Sequence, residues 1–305
     1  MDEIRIDRQW ADIAEKIKNN PAIKTVYLIG CCDTGKSTLA HYLVMAMSAS
    51  FMTGYLDCDP GQSVLGTPAT LGLGIYNQNA DDRSFNIKKP AAKYLSFVGS
   101  HTPVGHLLEN MCSIKKLQEK AYSIGARKVI IDSCGYTEGA VAHSFQFFSI
   151  DITAPDLIIE MHRECSLKTL LLNFSRTSES IVLPVSTSAG IKSPGYRKTN
   201  REERIRQYFS GAKPVTLSFN NLGMHGRLPD FQRNETYTDL LVALCNRNNF
   251  VIVLGIVMTI DITARQITLL APPFPQERVT SFHFGSLYCR LSGEHRYRFK
   301  SEQRG

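Results

Sequence analysis

The chain has 305 residues, enough for one large domain and a smaller one, and its 43% hydrophobic and 21% charged residues are those of an ordinary globular protein. Lys+Arg 35 against Asp+Glu 28 leaves +7, a mild basic excess that suits a polyanionic partner without requiring one. The longest apolar run, "FVIVLGIVMTI" at 250–260, is too short to span a bilayer, the start carries no secretory pattern, and the eight cysteines form no C-x-x-C pair. A soluble cytoplasmic protein with free thiols and no membrane partner is the expectation.

Trp10, Ile13 and Ile17 recur at helical spacing and "KNNP" ends that helix. A buried strand "KTVYLIG", a helix from Ser37 to Ser48 and a strand "MTGYLDCD" follow. Further on come the strand "YLSFVG", a helix over 106–124, the strand "RKVIIDS", a helix near 138–148, the strand "DLIIEM", a helix around 166–173 and the strand "SIVLPV". This alternation predicts an α/β fold, a mostly parallel sheet with helices on both faces. The segment "SPGYRKTNREERIRQYFSG" breaks the rhythm with a Pro-Gly turn and a charged helix. Beyond it, "VTLSF", "FVIVLGIVMTID", "QITLLAP", "RVTSFHFGSLYCRLS" and "HRYRF" read as short strands of a small antiparallel β domain. The expected division is 1–212 for the first domain, with a lid at about 190–211, and 213–305 for the second.

Residues 30–38, "GCCDTGKST", fit G-x-x-x-x-G-K-[ST] between a buried strand and a helix, the setting this phosphate loop requires. Gly30 and Gly35 let the backbone wrap phosphates. The loop amides from Asp33 to Thr38, Thr34 included, and the helix N-terminus supply positive potential. Lys36 reaches the β- and γ-phosphates of ATP or GTP and Ser37 coordinates Mg²⁺. A GTPase would carry an Asn/Thr-Lys-x-Asp element, which is lacking, although "DSCG" at 132–135 fits D-x-x-G. A motor ATPase would use Asp132 for magnesium. A kinase needs, in addition, a base at the acceptor hydroxyl.

"DCDPGQ" at 57–62 offers that base. Asp57 and Asp59, two apart at a strand end, are expected to share a face, one ordering magnesium and its waters and the other taking a proton. Turn chemistry explains the same residues equally well. Between Lys192 and Arg206 six Lys/Arg stand against two Glu, leaving +4: either a solvated helix or an arginine clamp for phosphoryl transfer. His101 and His106 lack a third ligand nearby and are not read as a metal site.

Taken in order from Gly30 to Phe209, these pieces resemble the P-loop polynucleotide 5′-hydroxyl kinases related to the RNA kinase of pre-mRNA 3′-end cleavage and to the kinases of pre-ribosomal RNA processing. The phosphate loop resembles the family's, including Asp33. "DCDPGQ" resembles its D-x-D-x-G-Q element, which implies Asp59 as the base for the 5′-hydroxyl and Gln62 as its neighbour at the substrate. "FVGSHTPVGH" resembles the clasp that holds nucleic acid or nucleotide, with Thr102 and Pro103 as matching residues. "VIIDSCGYTEG" resembles the following strand and loop, with Tyr136 where relatives more often carry tryptophan. "YRKTNREERIRQYF" resembles the lid, with Arg197 and Arg201 as its R-x-x-x-R. The resemblance implies an ATP- and Mg²⁺-dependent kinase acting on the 5′-hydroxyl end of RNA, possibly of DNA. Asp57 and Asp132 both remain candidates for the metal. The competing expectations are a non-catalytic ATP-binding adaptor of an RNA-processing complex and a regulatory GTPase.

Overall fold

A computed structural model describes residues 8–77, 85–162, 167–185, 190–228, 237–292 and 296–301, the last stretch from 290 by backbone alone. The first sheet holds β1 (Thr25–Ile29), β2 (Thr53–Cys58), β3 (Thr70–Tyr76), β4 (Ala92–Phe97), β5 (Lys128–Ser133), β6 (Leu157–His162) and β7 (Glu179–Pro184). Their order is β4-β3-β2-β5-β1-β6-β7. β1, β2, β5, β6 and β7 run parallel, while β3 is antiparallel to both β2 and β4. The mostly parallel α/β sheet is thus present, with an antiparallel edge added by β3. That strand, "TLGLGIY", is absent from the sequence reading because its two glycines look like a turn.

Each face of this sheet takes alternate strand residues. Val26, Leu28, Tyr55 and Ile130 pack against α1 (Arg8–Asn19) and α2 (Lys36–Ser48) through Trp10, Ile13, Ile17, Leu39, Leu43 and Met47. Tyr27, Ile29, Leu56 and Ile131 pack against α3 (Leu107–Ile124) and α4 (Ala140–Thr153) through Ile114, Leu117, Phe145 and Ile150. Burial on both faces is why β1, β2 and β5 read as continuous apolar runs. The short α5 (Lys168–Leu171) precedes β7.

After β7 comes α6 (Pro194–Tyr208), opened by Ser193, whose hydroxyl accepts the Tyr196 amide, and by Pro194 in the first turn. A second sheet follows, built from β8 (Lys213–Ser218), β9 (Gly223–Gly226), β10 (Leu240–Cys245), β11 (Val251–Asp261), β12 (Gln266–Ala271), β13 (Ser281–Ser292) and β14 (Arg296–Ser301). Its order is β14-β13-β10-β11-β12-β8, antiparallel throughout, with β9 parallel to β13. β9 and β10 are also missing from the sequence reading. β10, "LLVALC", is wholly buried and shows no alternation to mark it.

The two sheets meet closely. Gly99 lies at φ +78°, and a Cβ there would come within 2.6 Å of Gly285 Cα. The Ser286 amide donates to Gly99 O at 2.8 Å, and Ser286 Oγ pairs with His106 Nε2 at 2.8 Å. Ile205 and Phe209, at the end of α6, pack on Ala69, Phe97, Leu241, Ala243 and Leu254, so the helix rests on both sheets.

Candidate active site

The C-terminal ends of β1, β2 and β5 open into one crevice, where parallel α/β sheets place their ligands. The β1–α2 loop enters it. Gly30 is obligatory there because a Cβ would stand 1.9 Å from Met161 O on β6. Gly35, at φ +93°, caps α2 and turns the helix amides toward the loop. Lys36 is 6% exposed and donates to Cys31 O at 2.6 Å, a carbonyl that Thr34 Oγ1 also reaches at 3.0 Å. The loop is therefore closed over its own lysine. Ser37 and Thr38 face solvent in the first turn of α2.

Strand register sets Asp57 of β2 directly beside Asp132 of β5. Their surroundings differ. Asp57 Oδ2 accepts Ser63 Oγ at 2.8 Å, the Leu65 amide at 2.9 Å and the Val64 amide, so it organises the turn after β2. Burial, opposed by those donors, raises its carboxyl to about 6. Asp132 Oδ2 accepts Tyr55 Oη at 3.1 Å, while Oδ1 is buried with no hydrogen-bond partner. Burial, opposed by Lys36 and Ser37, lifts this carboxyl to about 7. A buried open carboxylate oxygen beside a phosphate-loop serine is a donor set that fits Mg²⁺. Of the two candidates, Asp132 presents a buried Oδ1 without a partner, whereas Asp57 spends Oδ2 on the Ser63–Leu65 turn.

The expected common face for Asp57 and Asp59 does not form. β2 ends at Cys58, so Asp59 lies outside the strand and period two no longer applies. Asp59 Oδ1 caps the turn by accepting the Gly61 and Gln62 amides at 2.8 and 3.0 Å, which leaves Oδ2 open. The turn reading and the base reading thus use different oxygens of one side chain. The clasp lies over this turn: a Cβ on Gly61 would stand 2.7 Å from His101 O. Thr102 Oγ1 accepts the Val104 amide at 3.3 Å and Pro103 is buried. Tyr136 leans on Phe145, ring centroids 6.3 Å apart, with its ring half-buried.

The lid helix closes the crevice from above. Arg197 Nη2 meets Asp33 Oδ2 at 2.5 Å, and the Lys192 amide reaches the same oxygen at 3.0 Å. Asp33 holds φ +58°, a left-handed turn that aims its carboxylate out of the loop toward the lid. Asn200 Nδ2 donates to Gln62 Oε1 at 3.4 Å, and Arg204 Nη2 to Gly66 O at 2.5 Å. Arg201 is half-buried: burial works against its charge and the nearby Asp59 carboxylate favours it. Arg197, Arg201 and Arg204 therefore share the helix face turned to the phosphate loop and the Asp59 turn. Tyr55 and Asn200 escape the sequence reading, and Arg204 enters it only as one of the lid's charges. For Tyr55, the spacing of two before Asp57 on a strand is a signal; for Arg204, the repeat 197, 201, 204 at helical spacing is one.

A family model for the mRNA cleavage and polyadenylation factor CLP1 P-loop matches residues 30–211. The polyribonucleotide 5′-hydroxyl-kinase of Pyrococcus furiosus is 27% identical, over 94% of this chain and 93% of its own length. That of Pyrococcus horikoshii is 33% identical, over 73% of this chain and 60% of its own. The polyribonucleotide 5′-hydroxyl-kinase Clp1 of Homo sapiens is 27% identical over 61% of this chain and 45% of its own. Among solved structures, Clp1p in its complex with Pcf11p superposes with a TM-score of 0.69 at 12% identity, over 92% of this chain and 79% of that one, a likeness of fold. With its matched stretch running from the phosphate loop through the lid, the chain belongs to the CLP1 P-loop family.

Proposed function

We propose that the protein transfers the γ-phosphate of ATP to the 5′-hydroxyl end of a polynucleotide, RNA before DNA. The observation that carries this reading is the convergence of phosphate loop, Asp59 turn, clasp and arginine lid on one crevice, joined through Arg197–Asp33 and Asn200–Gln62. The names of the archaeal relatives, which cover most of this chain, support kinase activity and favour RNA.

Each group then has a task. On nucleotide binding, the Lys36 ammonium exchanges Cys31 O for phosphate oxygens, and the loop amides with the α2 N-terminus take the remaining charge. Ser37 and Asp132 Oδ1 would hold Mg²⁺, which neutralises charge on the β- and γ-phosphates when bound. Asp59 Oδ2 takes the proton of the 5′-hydroxyl as its oxygen bonds to the γ-phosphorus. The bond from that phosphorus to the bridging oxygen breaks, and ADP leaves. Arg197 turns from Asp33 to the transferring phosphoryl group, with Arg201 beside it. The reading includes action in the cytoplasm, supported by the unpaired state of the seven described cysteines.

The test is incubation with labelled ATP and 5′-hydroxyl RNA and DNA oligonucleotides, scored for 5′-phosphate ends. Label on RNA ends is the expected result. Hydrolysis without transfer, or strict dependence on GTP, would sink the proposal.

A further inference from the structure

A second cleft, carrying Lys116 and Arg227, lies beside the clasp, outside the crevice just described. It measures about 390 Å³ and runs between α3 and the β9–β13 end of the second sheet. Its described lining residues include two cations, Lys116 and Arg227, three histidines, His106, His225 and His283, and one carboxylate, Glu109. His225 and Arg227 are exposed at the rim, and Lys116 and His283 are half-buried. The rings of His225 and His283 stand edge to face at 5.3 Å. Lys116 is positioned by its bond to Asn249 O at 2.7 Å and by the face of Phe250, 4.4 Å away. His106 is 6% exposed, and its Nδ1 has no hydrogen-bond partner, Glu109 Oε1 being 3.6 Å away.

Two features make this more than a solvated basic face. First, groups that can donate to an anion converge on one cleft: Lys116 and Arg227 carry charge, the edge-to-face pair His225 and His283 adds imidazole N–H groups, and burial, with His225 and Lys116 beside it, lowers His283 to about 4, so that it enters as a neutral donor. Such an arrangement is stabilised by an anion placed among them. Second, its place in the chain is telling. The clasp passes from His101, over the Asp59 turn, to His106 at the head of α3 within five residues, and β4 delivers it to the same end of the sheet as the phosphate loop. From His106 to Lys116 the helix advances about 15 Å along the cleft, at about 1.5 Å per residue. A strand whose 5′ end sits at Asp59 can thread the clasp and continue there.

We propose that this cleft binds the phosphodiester backbone of the polynucleotide downstream of its 5′ end, and so sets a preference for longer substrates. The proposal rests on the kinase reading for the direction of the strand, but its binding measurement does not need turnover. The experiment compares wild type, Arg227→Glu and the double variant His225→Ala/Arg227→Ala. Fluorescence anisotropy is measured with 3′-labelled single-stranded 5′-hydroxyl oligonucleotides from dinucleotide to decamer, alongside kcat and KM. The rim positions are exposed, so these variants keep the fold.

Wild-type affinity should rise with length. Either variant should weaken the decamer by about tenfold and lower the salt dependence of its binding by about one phosphate contact. The KM for dinucleotide and for ATP, and kcat, should not move. Unchanged decamer affinity, equal weakening of dinucleotide and decamer, or equally good competition by a polyglutamate peptide would overturn the proposal. If the length effect is present and lost in the variants while no phosphate is transferred, the kinase reading fails and the cleft stands. Transfer without any length effect fails the cleft alone.

Discussion

The floor and the lid of the crevice face each other but are held by different forces. The floor, made of the phosphate loop with Asp57 and Asp132, lies on strands whose every residue is buried, and its charged groups are nearly enclosed. The lid helix α6 buries only Ile205 along its length and meets the floor through Arg197–Asp33, Asn200–Gln62 and Arg204–Gly66. Partly exposed polar contacts of this kind contribute about 0–1 kcal/mol each, because water competes for both partners. The floor is therefore preorganised while the lid can exchange its partners at little cost. Substitutions in the floor should alter binding, stability or chemistry outright, and those in the lid should act on rate alone.

Lys36→Ala is the largest break. It removes the only cation that the loop itself places at the phosphates, and transfer should fall by at least about 10³-fold with nucleotide affinity sharply reduced. Turnover near wild type in a radiolabel assay would remove the loop from the mechanism. Asp59→Asn comes next and separates two jobs of one side chain. The amide oxygen still caps Gly61 and Gln62, so fold and MgATP affinity should persist. The loss of the base should nevertheless cost about 10²–10⁴-fold in rate. Normal turnover in this variant would leave Asp59 as a turn residue only.

Lid substitutions test the other half of the contrast. Arg197→Ala and Arg201→Ala should each slow transfer by at least about tenfold, with melting temperature unchanged, as expected for charge stabilisation in the transition state. Asp33→Asn, which releases Arg197 without removing it, should leave that rate within a few-fold. If Asp33→Asn is as damaging as Arg197→Ala, the ion pair itself is the working state and the lid does not exchange partners.

Sequence alone exposes the floor's chemistry but not its division of labour. The phosphate loop is legible because its glycines, lysine and serine sit at fixed offsets between a buried strand and a helix. Asp57 and Asp132 cannot be told apart by spacing, since what distinguishes them is three donors from a turn on one and an open oxygen on the other. Asp59 was expected on a strand, and the strand stops one residue short. In the second sheet, β10 is invisible to alternation because both its faces are covered; in the first, β3 is hidden by glycines that pack rather than turn, since a Cβ on Gly72 would stand 2.8 Å from Leu65 Cβ. Arg204 enters the sequence reading only as charge: its helical spacing from Arg197 and Arg201 marks the face it shares, but nothing in the sequence marks its partner, the Gly66 carbonyl.

The smallest effect is on stability, and it separates the two neighbouring carboxyls of the floor. Burial lifts Asp132 from its ordinary 3.8 to about 7 and Asp57 to about 6. Between about pH 4 and 7 the metal-free folded protein therefore keeps protons that the unfolded chain has released. Stability should fall as pH rises through that window and level off above it. Asp132→Asn removes the group with the larger shift, so it should flatten much of this slope and raise the melting temperature at pH 8. Each kcal/mol regained corresponds to about 2–4 °C. Transfer should be lost in the same variant, because the open oxygen that fits the metal is gone. Asp57→Asn should do the opposite. It disturbs a carboxylate that accepts three donors, leaving some unpaired at about 1–3 kcal/mol, and it should lower stability with little change in the magnesium dependence of transfer. Thermal scans in EDTA across this pH range, paired with magnesium titrations of activity, separate the two. A magnesium-dependent defect in Asp57→Asn, with an unchanged pH slope in Asp132→Asn, would reverse the assignment.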